Sequence, residues 1–313
     1  MAEHLPLPLE EKSGKTLVVL AGPTASGKTA LGIWLARQFN TEILSADSRQ
    51  CYQELNIGVA RPNPEELAAV PHHFIASHSI HDHVNAGYYE TYGLQLLSRL
   101  FEQHRIVFVV GGTGLYIKAL TEGMDRMPEI PVSIRDQITA AYKTNGLCWL
   151  QAAVQKEDPL FWQSAEQKNP QRLMRGLEFI RSTGQSIIAY RKNQQKPRDF
   201  QVIHLALDLP RETLYDRINQ RVTLMMEAGL EGEVRTLYPL RHLNALQTVG
   251  YKEWYPYFEG SGSLDSVKEK IQQNTRHYAK RQITWFKKQQ DFLWFSPEDK
   301  EKILHCIQSR IKH

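Results

Sequence analysis

The sequence predicts an α/β fold, a parallel sheet core interrupted by a mostly helical insertion, and three observations predict it. Apolar runs at Thr16 to Ala21, Glu42 to Ala46, Ile106 to Val110 and Gln201 to Leu207 alternate with stretches of helical periodicity. Strands that alternate with helices pair in parallel through crossover connections, and ligands then sit at the carboxyl ends of the strands. The first run leads directly through a glycine-containing turn into Ala30 to Phe39, where Leu31, Trp34 and Leu35 recur at helical spacing. From about Pro128 to Arg198 the strand signal fades, and prolines at 128, 131, 159, 170 and 197 punctuate amphipathic segments such as Arg172 to Ser182. The expected division is a core of residues 15–127 and 200–313 with a helical insertion at 128–199.

Bulk properties narrow the class. With 313 residues, 42% hydrophobic and 23% charged, the chain can bury a sizeable core and is not a disordered polymer. Cys51, Cys148 and Cys306 are odd in number and widely spaced, which fits neither a disulfide framework nor a CxxC metal site and points to a reducing cytoplasm. Met1 to Lys15 carries Glu3, Glu10 and Glu11 without an apolar run, so no signal peptide is expected, and no stretch reaches membrane-spanning length.

Gly22-Pro23-Thr24-Ala25-Ser26-Gly27-Lys28-Thr29 satisfies GxxxxGK[ST], directly after a strand and at the start of a helix. The two glycines let the backbone wrap a phosphate with its amides and the positive helix end, and Lys28 adds a charge. Thr29 or Ser26 offers a hydroxyl to a magnesium ion carried by the phosphates. A merely tight turn explains a glycine or two but not Lys28 and Thr29 together. The core is therefore P-loop-type, and the loop by itself establishes diphosphate or triphosphate binding, leaving open a kinase or prenyltransferase acting on free nucleotides, or an ATP-gated RNA-binding protein.

Asp47, in Ser45-Ala-Asp-Ser-Arg-Gln50, ends the strand expected beside this loop, where a carboxylate can ligate magnesium, act as a general base, or simply cap a turn. Ile106 to Val110 runs into Gly111-Gly-Thr113-Gly-Leu-Tyr116, either a plain strand-to-helix turn or a device that aims Thr113 and backbone amides at a reacting group. That strand ends in glycine and lacks the acidic residue of a conventional ATPase. Histidines 72, 73, 78, 81 and 83 resemble a metal cluster but have no cysteine partners and are expected to be solvated loop residues.

GPTASGKT, SADSRQ, PHHFI, GGTGLYIKAL, NPQRLMRGLEFIRSTG, DRINQRV, VGYKEW and AKRQITWFKK occur in one order over about residues 16 to 295. In this the sequence resembles the bacterial tRNA dimethylallyltransferase family. The resemblance implies a P-loop α/β core with a helical insertion gripping the tRNA anticodon stem-loop, dimethylallyl diphosphate as donor, magnesium as cofactor, and a cytoplasmic monomer. Carried over by motif, Gly22 to Thr29 with Lys28 bind the diphosphate, Arg217 and Arg221 orient the diphosphate or the tRNA, and Asp47 is the general base, with Thr113 beside it. The implied tRNA contacts are Asp47, Ser48, Arg49, Gln50, Thr113 and Arg135; Gln171, Arg172, Leu173, Met174 and Arg175; Gln247, Thr248, Val249, Gly250, Tyr251 and Lys252; and Lys280, Arg281, Gln282, Ile283, Thr284, Trp285, Phe286 and Lys287. Asn56, Val59 and Arg61 depart from the aspartate, threonine and lysine usual in the family, which puts the contacts of that loop in question.

The charge pattern bears on the same partner. The formal total is only +4, but Lys268 to Lys288 alone carries +6, which leaves the rest of the chain at −2. At about 100° per residue, Ala279, Ile283 and Phe286 share one helix stripe, while Arg276, Lys280 and Lys287 fall on an adjoining arc that is either a solvated face or an RNA-phosphate surface.

Overall fold

The computed structural model describes residues 14–125, 127–192 and 194–311, so the expectation about a leader falls mostly outside the described residues. Six parallel strands form one sheet in the order β3-β2-β4-β1-β5-β6. They are β1 (Thr16–Ala21), β2 (Ile43–Ala46), β3 (His72–His73), β4 (Ile106–Gly111), β5 (Gln201–Leu207) and β6 (Leu293–Phe295). Every residue of β1, β2 and β4 is buried. Strands covered on both faces have no solvent side, which is why their sequences read as continuous apolar runs without alternation. β3 and β6 escaped the sequence reading because two or three half-buried edge residues leave no periodicity to detect.

Helices α1 (Lys28–Gln38), α2 (Pro64–Ala69), α3 (Ala86–Leu100) and α4 (Gly114–Glu122) supply the crossovers of the first half. Leu31 and Leu35 of α1 pack with Val18, Leu20 and Val110 in the main core. Gly32 lets α1 lie close to β4, since a methyl group there would come within 2.8 Å of Val110 Cγ2. α2 begins with a capping box in which Asn63 and Glu66 satisfy each other's backbone amides.

Residues 123–196 form a separate compact unit, and the remainder of the chain forms the other. Within 123–196 lie α5 (Val132–Glu157), α6 (Pro159–Ser164), α7 (Pro170–Thr183) and α8 (Ile187–Tyr190), with no strand among the described residues. Its own core gathers Ile138, Leu150, Val154, Phe161, Leu173 and Leu177. Gly146, at φ 71° and ψ −166°, breaks α5 into two helical pieces.

After β5 the chain continues through α9 (Arg211–Glu227), α10 (Leu230–Leu237), α11 (Tyr255–Phe258), α12 (Leu264–Lys287) and, beyond β6, α13 (Lys300–Arg310). α12 opens with a capping box from Ser263 and Ser266. Among the described residues no helix is long and apolar enough to cross a membrane.

Because all six strands are parallel, the residues following β1, β2, β4 and β5 emerge at one edge of the sheet. α12 lies across that edge and ties it together. Gln282 accepts a hydrogen bond from the Thr24 amide (2.9 Å) and donates one to the Gly112 carbonyl (2.9 Å). The approach requires glycine, since a methyl group at Gly112 would overlap the Gln282 amide and one at Gly114 would overlap the Trp285 indole. Gln282→Leu fills similar space but leaves the Thr24 amide and the Gly112 carbonyl unpaired; two such buried groups cost about 1–3 kcal/mol each. Urea denaturation is expected to show a lower midpoint with an unchanged slope, together with weakened diphosphate binding.

Candidate active site

Residues 22–29 wrap from β1 into α1. Ala25 (φ 64°) and Gly27 (φ 87°) adopt left-handed conformations, and the Ser26 amide donates to the Pro23 carbonyl at 3.3 Å. The turn faces the amides at the start of α1, which have no partner within the helix, toward whatever occupies the loop. Lys28 turns its ammonium back into the loop and donates to the Pro23 carbonyl (2.5 Å) and Ser26 Oγ (3.5 Å).

Two arginines of α9 close on the same loop. Arg221 donates to Thr24 Oγ1 at 3.3 Å, and Arg217 approaches Gly27 while its other nitrogen sits 3.5 Å from the exposed carboxylate of Glu298. Crowding cations away from water penalises their charge. Burial, followed by repulsion from Arg221, lowers Lys28 to about 7, against an opposing pull from Asp47; burial likewise lowers Arg221 below its usual range. Such a cradle is stabilised by an anion that supplies the missing negative charge.

Across the edge, Asp47 follows β2. Its Oδ1 accepts from the Arg49 (2.8 Å) and Gln50 (3.2 Å) amides, so the capping role weighed in the sequence is present. The hydrogen bonds found among the described residues leave Oδ2 unengaged. Thr113, following β4, accepts from the Ser48 amide at 3.1 Å, which joins the two loops. Tyr278 of α12 lies near Thr113 and Asp47, and burial followed by the Asp47 charge pushes it up to about 12, so it stays protonated at neutral pH. The sequence reading did not single it out; its only signal was a position one turn before Gln282. Cys51, also raised to about 12 by burial and then by Asp47, remains a thiol and packs as core.

The residues matched to tRNA contacts divide by exposure. On α12, Lys280, Arg281, Thr284 and Lys287 are exposed, Ile283 and Trp285 are partly buried, and Gln282 and Phe286 are buried. Lys287 pairs with Asp208 at 3.1 Å. Gln247 and Lys252 are exposed and Thr248 and Val249 partly so, whereas Gly250 and Tyr251 are buried and the Tyr251 hydroxyl donates to Glu233. Gln50 is occupied in holding the carbonyls of Val59 (3.2 Å) and Ala60 (2.9 Å). Within the helical unit, Arg135 (3.6 Å) and Arg175 (3.7 Å) share the buried carboxylate of Glu178, and Arg172 lies 3.4 Å from Glu166. Gln171 is exposed there, Met174 half-buried, and Leu173 fully buried as core.

Two of the departures in the 56–61 loop answer each other, because Arg61 Nε donates to Asn56 Oδ1 at 2.9 Å. The histidines correct the sequence reading in part. His78 is buried and bonded to Ser77 and Tyr88 rather than solvated, because the segment after β3 packs beside residues 50–53. Among the described residues no group of three or more His, Cys, Asp or Glu side chains could hold a metal. The donors present, the Thr29 hydroxyl and the deeper Ser26, instead suit a magnesium ion carried in on phosphate oxygens, which needs few protein ligands.

Fold and loop together define an α/β protein with a cation-lined, glycine-containing loop at the carboxyl edge of a parallel sheet. A family described as "IPP transferase" matches residues 50–289. Similar proteins include tRNA dimethylallyltransferase 1 of Bacteroides fragilis, 42% identical over 96% of this chain and 100% of that one, and the tRNA dimethylallyltransferase of Christiangramia forsetii, 45% identical over 94% and 98%. The crystal structure of the tRNA isopentenylpyrophosphate transferase from Bacillus halodurans superposes with a TM-score of 0.70 at 32% identity, covering 95% of this chain and 97% of that one. A eukaryotic dimethylallyltransferase captured acting on tRNA gives 0.73 at 26% identity, covering 95% and 77%. The chain belongs to the IPP transferase family, that of the tRNA dimethylallyltransferases.

With Lys28 at about 7 in the free protein, an anion in the loop raises its pKa and draws in a proton. The gain from the charged lysine is complete below about 7 and is lost as pH rises through the higher, ligand-bound value. Calorimetry at pH 8 in buffers of different ionisation enthalpy should therefore record proton uptake on binding inorganic diphosphate. Lys28→Met should abolish that uptake.

Proposed function

We propose that this chain transfers the dimethylallyl group of dimethylallyl diphosphate to the exocyclic N6 amine of the adenosine 3′-adjacent to the anticodon of tRNA, releasing diphosphate. The observation that carries the reading is that Gln282 joins the cation-lined loop at Thr24 to the Gly112 turn, whose neighbour Thr113 is bonded to the loop holding Asp47. A leaving-group cradle and a carboxylate thereby share one edge in a chain of this family.

In this mechanism the adenosine leaves the stacked anticodon loop so that its amine faces the first carbon of the donor. The N6–carbon bond forms as the carbon–oxygen bond to diphosphate breaks. Lys28, Arg217, Arg221 and the loop amides stabilise the charge that develops on the departing diphosphate. Magnesium, held by the Thr29 hydroxyl and the phosphates, would neutralise further charge there. Oδ2 of Asp47 takes the N6 proton, and because the alkylated amine becomes acidic as the bond forms, a carboxylate of ordinary basicity suffices. Tyr278 and Thr113 hold the geometry around Asp47. The exposed basic residues of α12 and the arginines of the helical unit would meet the anticodon stem-loop, and the enzyme would act as a cytoplasmic monomer.

Labelled dimethylallyl diphosphate incubated with unmodified tRNA or with adenosine monophosphate, beside an ATP-hydrolysis control, tests the assignment. Label entering only tRNA supports it; turnover of ATP or labelling of the free nucleotide replaces it with the kinase or free-nucleotide reading. Asp47→Asn keeps the Oδ1 acceptor for the Arg49 and Gln50 amides and removes the base. Both substrates should bind normally while single-turnover transfer slows on the order of 10² to 10⁴-fold. Recovery of rate with added magnesium would assign Asp47 to metal binding instead.

A further inference from the structure

A groove opens between α12 and the start of α9. Its floor is apolar, from Leu214 and Ile283, and its walls carry Lys280, Lys287, Arg211 and Asp208. The single carboxylate is already engaged by Lys287 at 3.1 Å, which leaves the groove positive. Tyr215 lies within it, half-buried, with the Arg211 guanidinium 5.1 Å from its ring centroid and that of Arg276 5.8 Å away. Arg276 is fixed by a 2.7 Å bond to Asn219 Oδ1, whereas Arg211 is exposed. Among the described residues the Tyr215 hydroxyl makes no hydrogen bond.

A ring held in place by cations, at the edge of an apolar floor and beside further exposed basic residues, matches the composition of a site for an unpaired nucleotide. The ring stacks a base, and the cations meet the adjoining phosphates. We propose that this groove is a second nucleotide subsite for the RNA substrate. Tyr215 stacks an unpaired base, and Arg211 and Lys280 contact the neighbouring backbone. The proposal rests on the tRNA reading above, in which exposed basic residues of α12 meet RNA, and adds to it a base-stacking position at Tyr215 and Arg211 of α9.

The test compares Tyr215→Ala, Tyr215→Phe and Arg211→Ala in the full chain, by equilibrium tRNA binding across salt concentrations and by separate KM values for tRNA and dimethylallyl diphosphate. Loss of one base stack should weaken tRNA binding and raise its KM roughly tenfold in Tyr215→Ala, with the diphosphate KM unchanged, and Tyr215→Phe should recover most of the loss. Arg211→Ala should reduce the log-log salt slope by somewhat less than ~1. Unchanged tRNA binding in both Tyr215→Ala and Arg211→Ala overturns the proposal even if transfer proceeds normally. A raised diphosphate KM with intact tRNA binding would give the groove to the prenyl donor, and loss of ATP or AMP binding with intact tRNA binding would give it to a free nucleotide; either overturns it. If the wild-type chain binds tRNA but transfers no prenyl group, the proposed reaction fails while the binding comparison still decides the groove.

Discussion

The working edge of this fold depends on one buried amide. Gln282 has an acceptor and a donor pointing in opposite senses, and it spends both on backbone groups of two different loops, Thr24 after β1 and Gly112 after β4. No charged side chain could take its place at the same cost. A carboxylate would face the Gly112 carbonyl with a lone pair, and an ammonium would face the Thr24 amide with a proton. The amide is neutral, so its burial incurs no ionic desolvation, and both of its partners would otherwise be unsatisfied backbone. Everything else at the site is referenced to it. The phosphate loop is held at Thr24, whose hydroxyl receives Arg221, and Gly112 leads into Thr113, whose hydroxyl receives the Ser48 amide next to Asp47.

This explains which parts were legible in the sequence. β1, β2 and β4 are buried on both faces and, with the largely buried β5, announce themselves by apolar runs, and GxxxxGK[ST] carries its own mechanism, so the sheet and the loop could be read directly. β3 and β6 are too short to show a period. The glycines at 111, 112 and 114 were visible, but the reason for them was not. They make room for the Ala46 backbone, the Gln282 amide and the Trp285 ring, and two of those neighbours lie far along the chain. Tyr278 was missed for the same reason, since its importance comes from standing against Asp47 and Thr113 rather than from any local pattern.

The α12 motif shows the limit of reading a conserved-looking string as a contact list. AKRQITWFKK alternates residues with opposite duties. Lys280, Arg281, Thr284 and Lys287 face solvent, while Ala279, Gln282 and Phe286 build the interior on which they are mounted. A helix that must both close a catalytic edge and present basic groups needs both sets at a spacing of three to four residues, so the motif mixes them. Similarly, Asn56 and Arg61, two of the three departures from the family pattern, are joined by one hydrogen bond across the 56–61 loop.

Asp47 caps its turn in the structure, and the proposed proton transfer does not compete with that cap. An aspartate that caps a turn and an aspartate that accepts a proton need different oxygens, and here the two amides of Arg49 and Gln50 occupy Oδ1 alone. The cap then fixes the side-chain rotamer and so determines where Oδ2 points, a form of preorganisation that costs nothing further when substrate arrives. The same holds for the cradle opposite. Lys28 and Arg221 are held in an environment that disfavours their charge, and an anion in the loop would offset that cost. In the proposed reaction, a diphosphate gaining negative charge as its bond to carbon breaks would benefit more from that environment than the intact donor does, and this difference between the two states would accelerate transfer.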